Sequence, residues 1–195
     1  MSREVHLRRK TSETEIEIRL NLDAQGQDVD TGIGFLDHML TLFARHGFFA
    51  LTARATGDLA VDSHHTTEDI GILLGEALKQ ALGDKSGIRR YGQSLLPMDE
   101  TLVLCAVDLS GRAYLNYAAA YTAERLGSLE TEMLEEFFRA VAGHAGLTLH
   151  LKVLDGQNNH HMAEALFKAF GRALGEAVSY DPRVEGALST KGTLA

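Results

Sequence analysis

The chain of 195 residues carries a formal net charge of −8, with 45% hydrophobic and 24% charged residues. These proportions are those of a globular protein, and the length allows one domain or two small ones. The acidic balance argues against a nucleic-acid partner, which requires clustered basic side chains. No apolar run approaches the ~20 residues of a membrane-spanning helix, and the first residues lack the apolar core of a signal peptide. We expect a cytoplasmic protein, which suits its single cysteine, Cys105.

Periodic patterns in the first half predict two strands and two helices. Polar and apolar residues alternate over 14–22, which is the pattern of a strand buried on one face. Gly47 and Gly83 mark helix ends, because glycine readily adopts the left-handed conformation that closes a helix. The predicted elements are a strand over 14–22, a helix over 35–45, a strand over 48–55, a helix over 66–82 and a basic loop over 87–92.

The second half repeats this order of elements. Its predicted elements are a strand over 101–109, a hairpin partner over 113–120, a helix over 131–142, a strand over 147–154 and a helix over 160–179. Pro182 follows the last helix, as expected of a residue that cannot continue one.

The repeated order predicts an internally duplicated α+β fold. Strands joined by short turns favour antiparallel pairing. We therefore expect two pseudo-symmetric halves, each a mostly antiparallel sheet with two helices, with the helices packed in a central layer. The halves would form a single domain over 1–195, divided into repeats of about 1–92 and 93–195. A parallel βαβ sheet is the weaker alternative, because strands and helices alternate only in part.

The pattern His-His-x-x-Glu occurs twice, at 64–68 and at 160–164, and we call these the first and second histidine motifs. Residues at i and i+3 or i+4 share a helix face, so each glutamate can join a histidine of its own motif. Adjacent histidines differ by about 100° around a helix, so the two imidazoles are expected to serve two ions. One histidine pair is usually a surface or capping feature, whereas a second copy indicates a two-metal protein.

Eight nitrogen and carboxylate donors are the candidate ligands, about four for each ion. Four protein ligands leave positions open for substrate or water, which is typical of a catalytic site. A set without thiolate favours manganese, iron or zinc. A neighbouring subunit could complete each site, and Glu136 could instead belong to a solvated acidic face. The candidates are His38, His64, His65, Glu68, Glu136, His160, His161 and Glu164.

Cationic side chains near these motifs suggest that an anion binds beside the metals. Lys168 projects from the same helix face as His160, two turns later. Ser189 and Lys191 lie in a glycine-containing tail that could wrap an anion with hydroxyl, amine and backbone N–H groups. Such a set suggests a phosphate. The other candidates are Arg89, Arg90 and Arg112.

From about Arg9 to Gly192 the chain resembles the imidazoleglycerol-phosphate dehydratase family of histidine biosynthesis. The motifs that carry the resemblance are Phe35-Leu36-Asp37-His38-Met39, Asp62-Ser63-His64-His65-Thr66-Thr67-Glu68-Asp69, Pro97-Met98-Asp99-Glu100, Asn159-His160-His161 and Ser189-Thr190-Lys191-Gly192. The resemblance implies a duplicated α+β unit, trimers that assemble into a 24-subunit homo-oligomer, and two Mn²⁺ ions per subunit at subunit contacts, other divalent metals being possible.

The family's functional positions fall on residues of this chain. Its metal ligands fall on the eight candidates, with Glu136 standing where the family often has histidine. Glu13 matches a residue that reaches the substrate. The implied phosphate ligands are Arg90, Arg112, Lys168, Ser189 and Lys191, and the implied catalytic carboxylates are Glu13, Glu68 and Glu164.

The implied reaction is metal-dependent dehydration of D-erythro-imidazole glycerol phosphate to imidazole acetol phosphate. The C–H bond that breaks is poorly acidic, and metals on the ring nitrogens would favour an imidazolate that expels hydroxide to give a diazafulvene. Two other classes remain open from the residues alone. A binuclear hydrolase would hold its metals about 4 Å apart, and a metal-stapled scaffold would need no convergent cations.

Overall fold

The computed structural model describes residues 3–194, which form two halves with the same order of elements. The first half contains β1 (Glu4–Lys10), β2 (Thr14–Asn21), β3 (Gly26–Asp30), α1 (Gly34–Gly47), β4 (Ala50–Gly57) and α2 (His64–Leu82). The second half contains β5 (Tyr91–Met98), β6 (Thr101–Asp108), β7 (Tyr114–Ala118), the short strands β8 (Arg125–Leu126) and β9 (Leu129–Glu130), α3 (Glu132–Ala145), β10 (Thr148–Asp155) and α4 (Asn159–Val178).

The two four-stranded sheets have equivalent topologies. Their strand orders are β1-β2-β4-β3 and β5-β6-β10-β7. In each sheet the last edge strand pairs in parallel with its neighbour, and the remaining pairs are antiparallel. The predicted duplicated α+β fold with mostly antiparallel sheets is therefore confirmed. The proposed boundary between 92 and 93 falls just inside β5.

Alternating side chains bury one face of each sheet against the helices. In β2 the inward residues are Ile16, Ile18 and Leu20, and in β6 the inward residues include Val103 and Cys105, all at most 1% exposed. Period-two alternation places these side chains on one face. Burial raises the pKa of the Cys105 thiol, which suits a core residue and not a nucleophile.

The helices of one half pack on the helices of the other. α1 contacts α4 and α2 contacts α3, while α2 also packs on β1 and β2, and α4 on β5 and β6. The Phe43 and Phe170 rings stack across the α1–α4 contact with centroids 5.1 Å apart. Gly171 permits this approach, since a methyl group there would lie 2.4 Å from the Phe43 carbonyl oxygen. The central helical layer thus joins the helices of both halves that carry the candidate metal ligands.

One predicted strand pairing was wrong. Residues 113–120 were expected to form a hairpin with the preceding strand, but β7 pairs in parallel with β10. Both edges of β6 are occupied, by β5 and by β10, so β7 has no place beside it. Tyr114 N instead donates to Leu147 O at 3.1 Å.

Five further strands were not predicted from the sequence. β1 and β3 are edge strands whose residues are exposed or half-buried, so their hydrophobic alternation is weak. The basic loop over 87–92 runs into β5, and β8–β9 are too short to give a periodic signal. None of the helices described between residues 3 and 194 combines the length and apolarity needed to cross a bilayer.

Candidate active site

A buried glutamate joins two histidines from opposite halves of the molecule. His160 Nε2 lies 2.9 Å from Glu164 Oε2, and His38 Nε2 lies 3.2 Å from the same oxygen. His38 is on α1, whereas His160 and Glu164 are one turn apart on α4. Their ligand atoms all lie within 4.8 Å of one another, so these three side chains, which we call the α1–α4 cluster, could hold a metal ion.

The electrostatics of this cluster favour an ionised glutamate. Glu164 is only 8% exposed. Burial raises its pKa, but hydrogen bonds from Lys168, His160 and His38 outweigh burial and lower the pKa to about 2. An ionised carboxylate together with two imidazoles is a donor set that suits a borderline divalent cation.

The capped start of α4 positions the His160 ring of the α1–α4 cluster. The Asn158 side chain caps α4 by accepting from the backbone N–H groups of His160, at 2.9 Å, and His161, at 3.2 Å. This cap fixes where the helix begins and so sets the direction of both imidazoles. The Phe35 ring meets the His160 ring edge to face, with centroids 5.3 Å apart.

A second group of donors surrounds the first histidine motif. His65 Nδ1 lies 2.9 Å from Asp58 Oδ2 and 3.8 Å from Glu13 Oε2. The hydrogen bond to Asp58 raises the pKa of His65. Asp69 on α2 fixes the nearby β1–β2 turn, because it accepts from Thr14 Oγ1 at 2.5 Å.

His161, the second histidine of the second motif, also forms a hydrogen bond with a carboxylate. His161 Nδ1 lies 2.8 Å from Glu100 Oε2. The hydrogen bond with His161 is the largest influence on Glu100 and lowers its pKa to about 2, while the same contact raises the pKa of His161.

The single chain does not bring all eight candidate ligands together. Among residues 3–194, His64, Glu68, Glu136 and His161 belong to neither cluster of potential metal donors. The Glu136 side chain is 36% exposed and forms an ion pair with Arg139 at 3.4 Å on its own helix. Of these four residues, Glu68 is exposed and the other three are half-buried.

Most of the cationic candidates line one open groove. Arg90, Arg112, Ser189 and Lys191 share its wall. Asp108 holds Arg90 with two contacts, at 2.7 Å to Nε and 3.0 Å to Nη2, and the Leu188 carbonyl accepts from Nη1 at 2.7 Å. Lys168 lies elsewhere, with its Nζ 2.5 Å from Glu164 Oε1. Arg89 pairs with Glu176 at 3.5 Å.

Three acidic partners were not among the predicted site residues: Asp58, Glu100, which was noted only as part of the motif over 97–100, and Asp108. Asp58 directly follows β4, Glu100 directly precedes β6, and Asp108 is the last residue of β6. The available signal was their place at strand ends: Asp58 and Glu100 lie near the starts of α2 and α4, whereas Asp108 lies at the opposite end of its sheet, near the end of α4. The spacing of these acids in the sequence does not indicate which histidine or arginine each one contacts.

The comparisons with known proteins agree on one family. The model of the imidazoleglycerol-phosphate dehydratase family matches residues 31–174. The chain is 62% identical to imidazoleglycerol-phosphate dehydratase of Lachnoclostridium phytofermentans and 58% identical to that of Acetivibrio thermocellus, over the full length of each pair.

Solved structures give the same result for the fold. The Staphylococcus aureus imidazoleglycerol-phosphate dehydratase superposes with a TM-score of 0.84 at 44% identity, covering 91% of this chain and 99% of that one. The Pyrococcus furiosus enzyme, solved in complex with (S)-C348, superposes with a TM-score of 0.82 at 39% identity, covering 96% and 100%.

Proposed function

The chain belongs to the imidazoleglycerol-phosphate dehydratase family, and from that premise we propose that it dehydrates D-erythro-imidazole glycerol phosphate with the help of two Mn²⁺ ions per subunit. The chain is a carbon–oxygen lyase of histidine biosynthesis. We also propose that the chain is a single domain over 1–195 that acts in the cytoplasm, and we assign its metal ligands, its substrate-binding residues and its assembly.

The observation that carries the proposal is the α1–α4 cluster. Two imidazoles and a buried carboxylate with a low pKa fit a divalent cation by their chemistry. A cation bound there would supply Lewis-acid stabilisation of negative charge on the substrate's imidazole ring.

The groove residues would bind the phosphate of the substrate. Arg90 and Arg112 contribute fixed positive charge, and Ser189 and Lys191 contribute hydroxyl and amine donors from the tail. The carbonyl of Leu188 already contacts Arg90, so the tail stands beside the guanidinium that would receive the anion. Lys168 would assist from α4, where its ammonium also forms an ion pair with the Glu164 carboxylate.

Carboxylates near the histidines would handle the protons. Glu13 is half-exposed in the turn before β2 and can take or give a proton at a substrate that enters from solvent. Glu164 is held ionised, which suits a metal ligand, and we assign it proton transfer as well because its carboxylate lies within reach of both imidazoles. Glu68 follows His64 by one helical turn on α2, so it can share a metal with His64.

A second copy of the chain would complete the sites. His64, His65, Glu68, Glu136 and His161 would meet the α1–α4 cluster of neighbouring copies, so that each metal has ligands from two subunits. Metal binding and assembly would then be coupled, because anything that binds only the assembled form stabilises it. We propose a homo-oligomer of trimers, expected to be a 24-mer.

Metal removal and a ligand variant test the proposal together. Chelation should abolish dehydration and split the assembly, and Mn²⁺ should restore both, as measured by product formation and by size-exclusion chromatography. His160→Ala should lose activity at saturating Mn²⁺. His6→Ala is the matched control, since His6 pairs with Glu17 on an exposed strand. Full turnover by metal-free protein would overturn the proposal.

A further inference from the structure

Two hairpin turns place a glutamate beside the second histidine of each motif. Glu13 directly precedes β2 in the first half, and Glu100 directly precedes β6 in the second. These strands occupy equivalent positions in the two sheets. The distances from these glutamates to the histidines differ. Glu13 Oε2 lies 3.8 Å from His65 Nδ1, whereas Glu100 Oε2 lies 2.8 Å from His161 Nδ1.

Glu13 lies farther from its histidine because the first half has another acid at a place where the second half has none. Asp58 directly follows β4 and reaches His65 Nδ1 at 2.9 Å, nearer than Glu13. The equivalent strand β10 also has eight residues, but the next residue is Gly156. A Cβ at Gly156 would lie 2.8 Å from Thr101 Oγ1 and 2.9 Å from a carbon of Met162. The second half therefore has no room for a carboxylate at that place, and Glu100 occupies the role.

Glu100 is held firmly for this contact. Its Oε1 accepts from the backbone N–H of Asn158 at 2.9 Å and of Gln157 at 3.3 Å, and from Thr101 Oγ1 at 3.1 Å. With Oε1 engaged by the segment that starts α4, Oε2 is directed at His161. Asp99, its neighbour, is 3.9 Å from His161 Nε2 and too far for a hydrogen bond.

We propose that Glu100 and Asp58 are positioning residues that fix His161 and His65 through Nδ1, and that Asp58 thereby leaves Glu13 free for the substrate. An imidazole that donates Nδ1–H to a carboxylate keeps its Nε2 lone pair for a metal ion. This inference rests on the proposed metal-dependent function. It assigns different roles to two glutamates in equivalent turns: Glu100 supports a ligand, and Glu13 serves the reaction.

Variants of the two glutamates separate these roles. In the full-length protein stripped of metal, Glu100→Ala should weaken Mn²⁺ binding by ~10–100-fold, measured by calorimetric titration. Glu100→Gln should recover part of the loss, because its amide oxygen can still accept from Nδ1. Glu13→Gln should lower kcat while keeping wild-type Mn²⁺ affinity. Glu15→Gln is the control, since Glu15 pairs with Lys10 at 2.7 Å on an exposed face.

Several outcomes would overturn the inference. The inference is wrong if Glu100→Ala binds Mn²⁺ with wild-type affinity. It is also wrong if Glu15→Gln loses as much Mn²⁺ affinity as Glu100→Ala, because the loss would then be a general effect of removing an acid. If Glu100→Ala unfolds without metal, Glu100→Gln decides, and its failure to regain any affinity counts against the idea. If the wild-type protein itself binds no Mn²⁺, the proposed function fails, and not this inference alone.

Discussion

Lys168 Nζ lies 2.5 Å from Glu164 Oε1, so the ammonium and the two imidazoles share one buried carboxylate. The lysine stands one turn after the glutamate on α4, the spacing that favours a helical ion pair. The family resemblance implies only a phosphate-binding role for Lys168. Its contact with Glu164 gives it a second effect, since its charge lowers the pKa of a candidate metal ligand and proton acceptor.

Replacing Lys168 with methionine should move the acid limb of the pH–activity profile to higher pH. The lysine lowers the pKa of Glu164, so its removal raises that pKa, and the ionised carboxylate then persists only at higher pH. The measurement is kcat/KM against pH, with Lys168→Arg as the charge-conserving control. A raised KM with an unmoved acid limb would show that Lys168 acts on phosphate alone.

Replacing Asp108 with asparagine should raise KM about tenfold, for a loss of about 1.4 kcal/mol, with less change in kcat. Asp108 holds Arg90 through two oxygens, and its loss leaves the guanidinium free to leave the groove. Asp28→Asn is the matched control, because Asp28 pairs with Arg54 at 2.5 Å on the surface. An unchanged KM in Asp108→Asn would contradict the role of Arg90 in binding the phosphate.

Two glycine-to-alanine changes should have opposite effects on stability. Gly171→Ala pushes a methyl group to 2.4 Å from the Phe43 carbonyl oxygen, and we expect a loss of about 1–3 kcal/mol in the free energy of unfolding. Gly143 lies on α3 with nothing within 4 Å of an added methyl group. Gly143→Ala should therefore stabilise the protein by about 0.5–1 kcal/mol. Urea denaturation measures both, and equal effects would refute the close approach of α1 and α4.

Replacing Asp23 with asparagine should destabilise the protein at neutral pH by about 1 kcal/mol, a modest value because the aspartate is half-exposed. Arg3 hydrogen-bonds Asp23 and also donates to Val178 O at 2.5 Å, so it joins the first strand to the end of α4.

The effect of Asp23→Asn should depend on pH. The hydrogen bond from Arg3 lowers the pKa of Asp23 below its ordinary value of 3.8. A carboxyl with a depressed folded pKa stabilises the protein above its unfolded pKa, and that contribution is lost as pH falls through the folded pKa. The difference between wild type and variant should thus shrink below about pH 4. Asp30→Asn serves as control, and a pH-independent difference would exclude the ion pair as its cause.

Part of the site could be predicted from the sequence because it depends on local spacing. His160 and Glu164 are four residues apart on one helix, and their contact at 2.9 Å needs no more than helical geometry. Arg90 and Arg112 were predicted to bind one phosphate, and both line the same groove, but Asp108 as the partner of Arg90 could not be predicted because it depends on how the strands pack.

The helices, the inward faces of the central strands and a list of candidate metal ligands could be predicted from the amino-acid sequence, because periodicity and residue chemistry are local properties. Contacts between side chains of different elements depend on the tertiary structure. His38 reaches Glu164 across 126 residues because α1 packs on α4, and β7 joins β10 because β6 has no free edge. Such contacts arise from the packing of one half on the other, and no spacing along the chain encodes them.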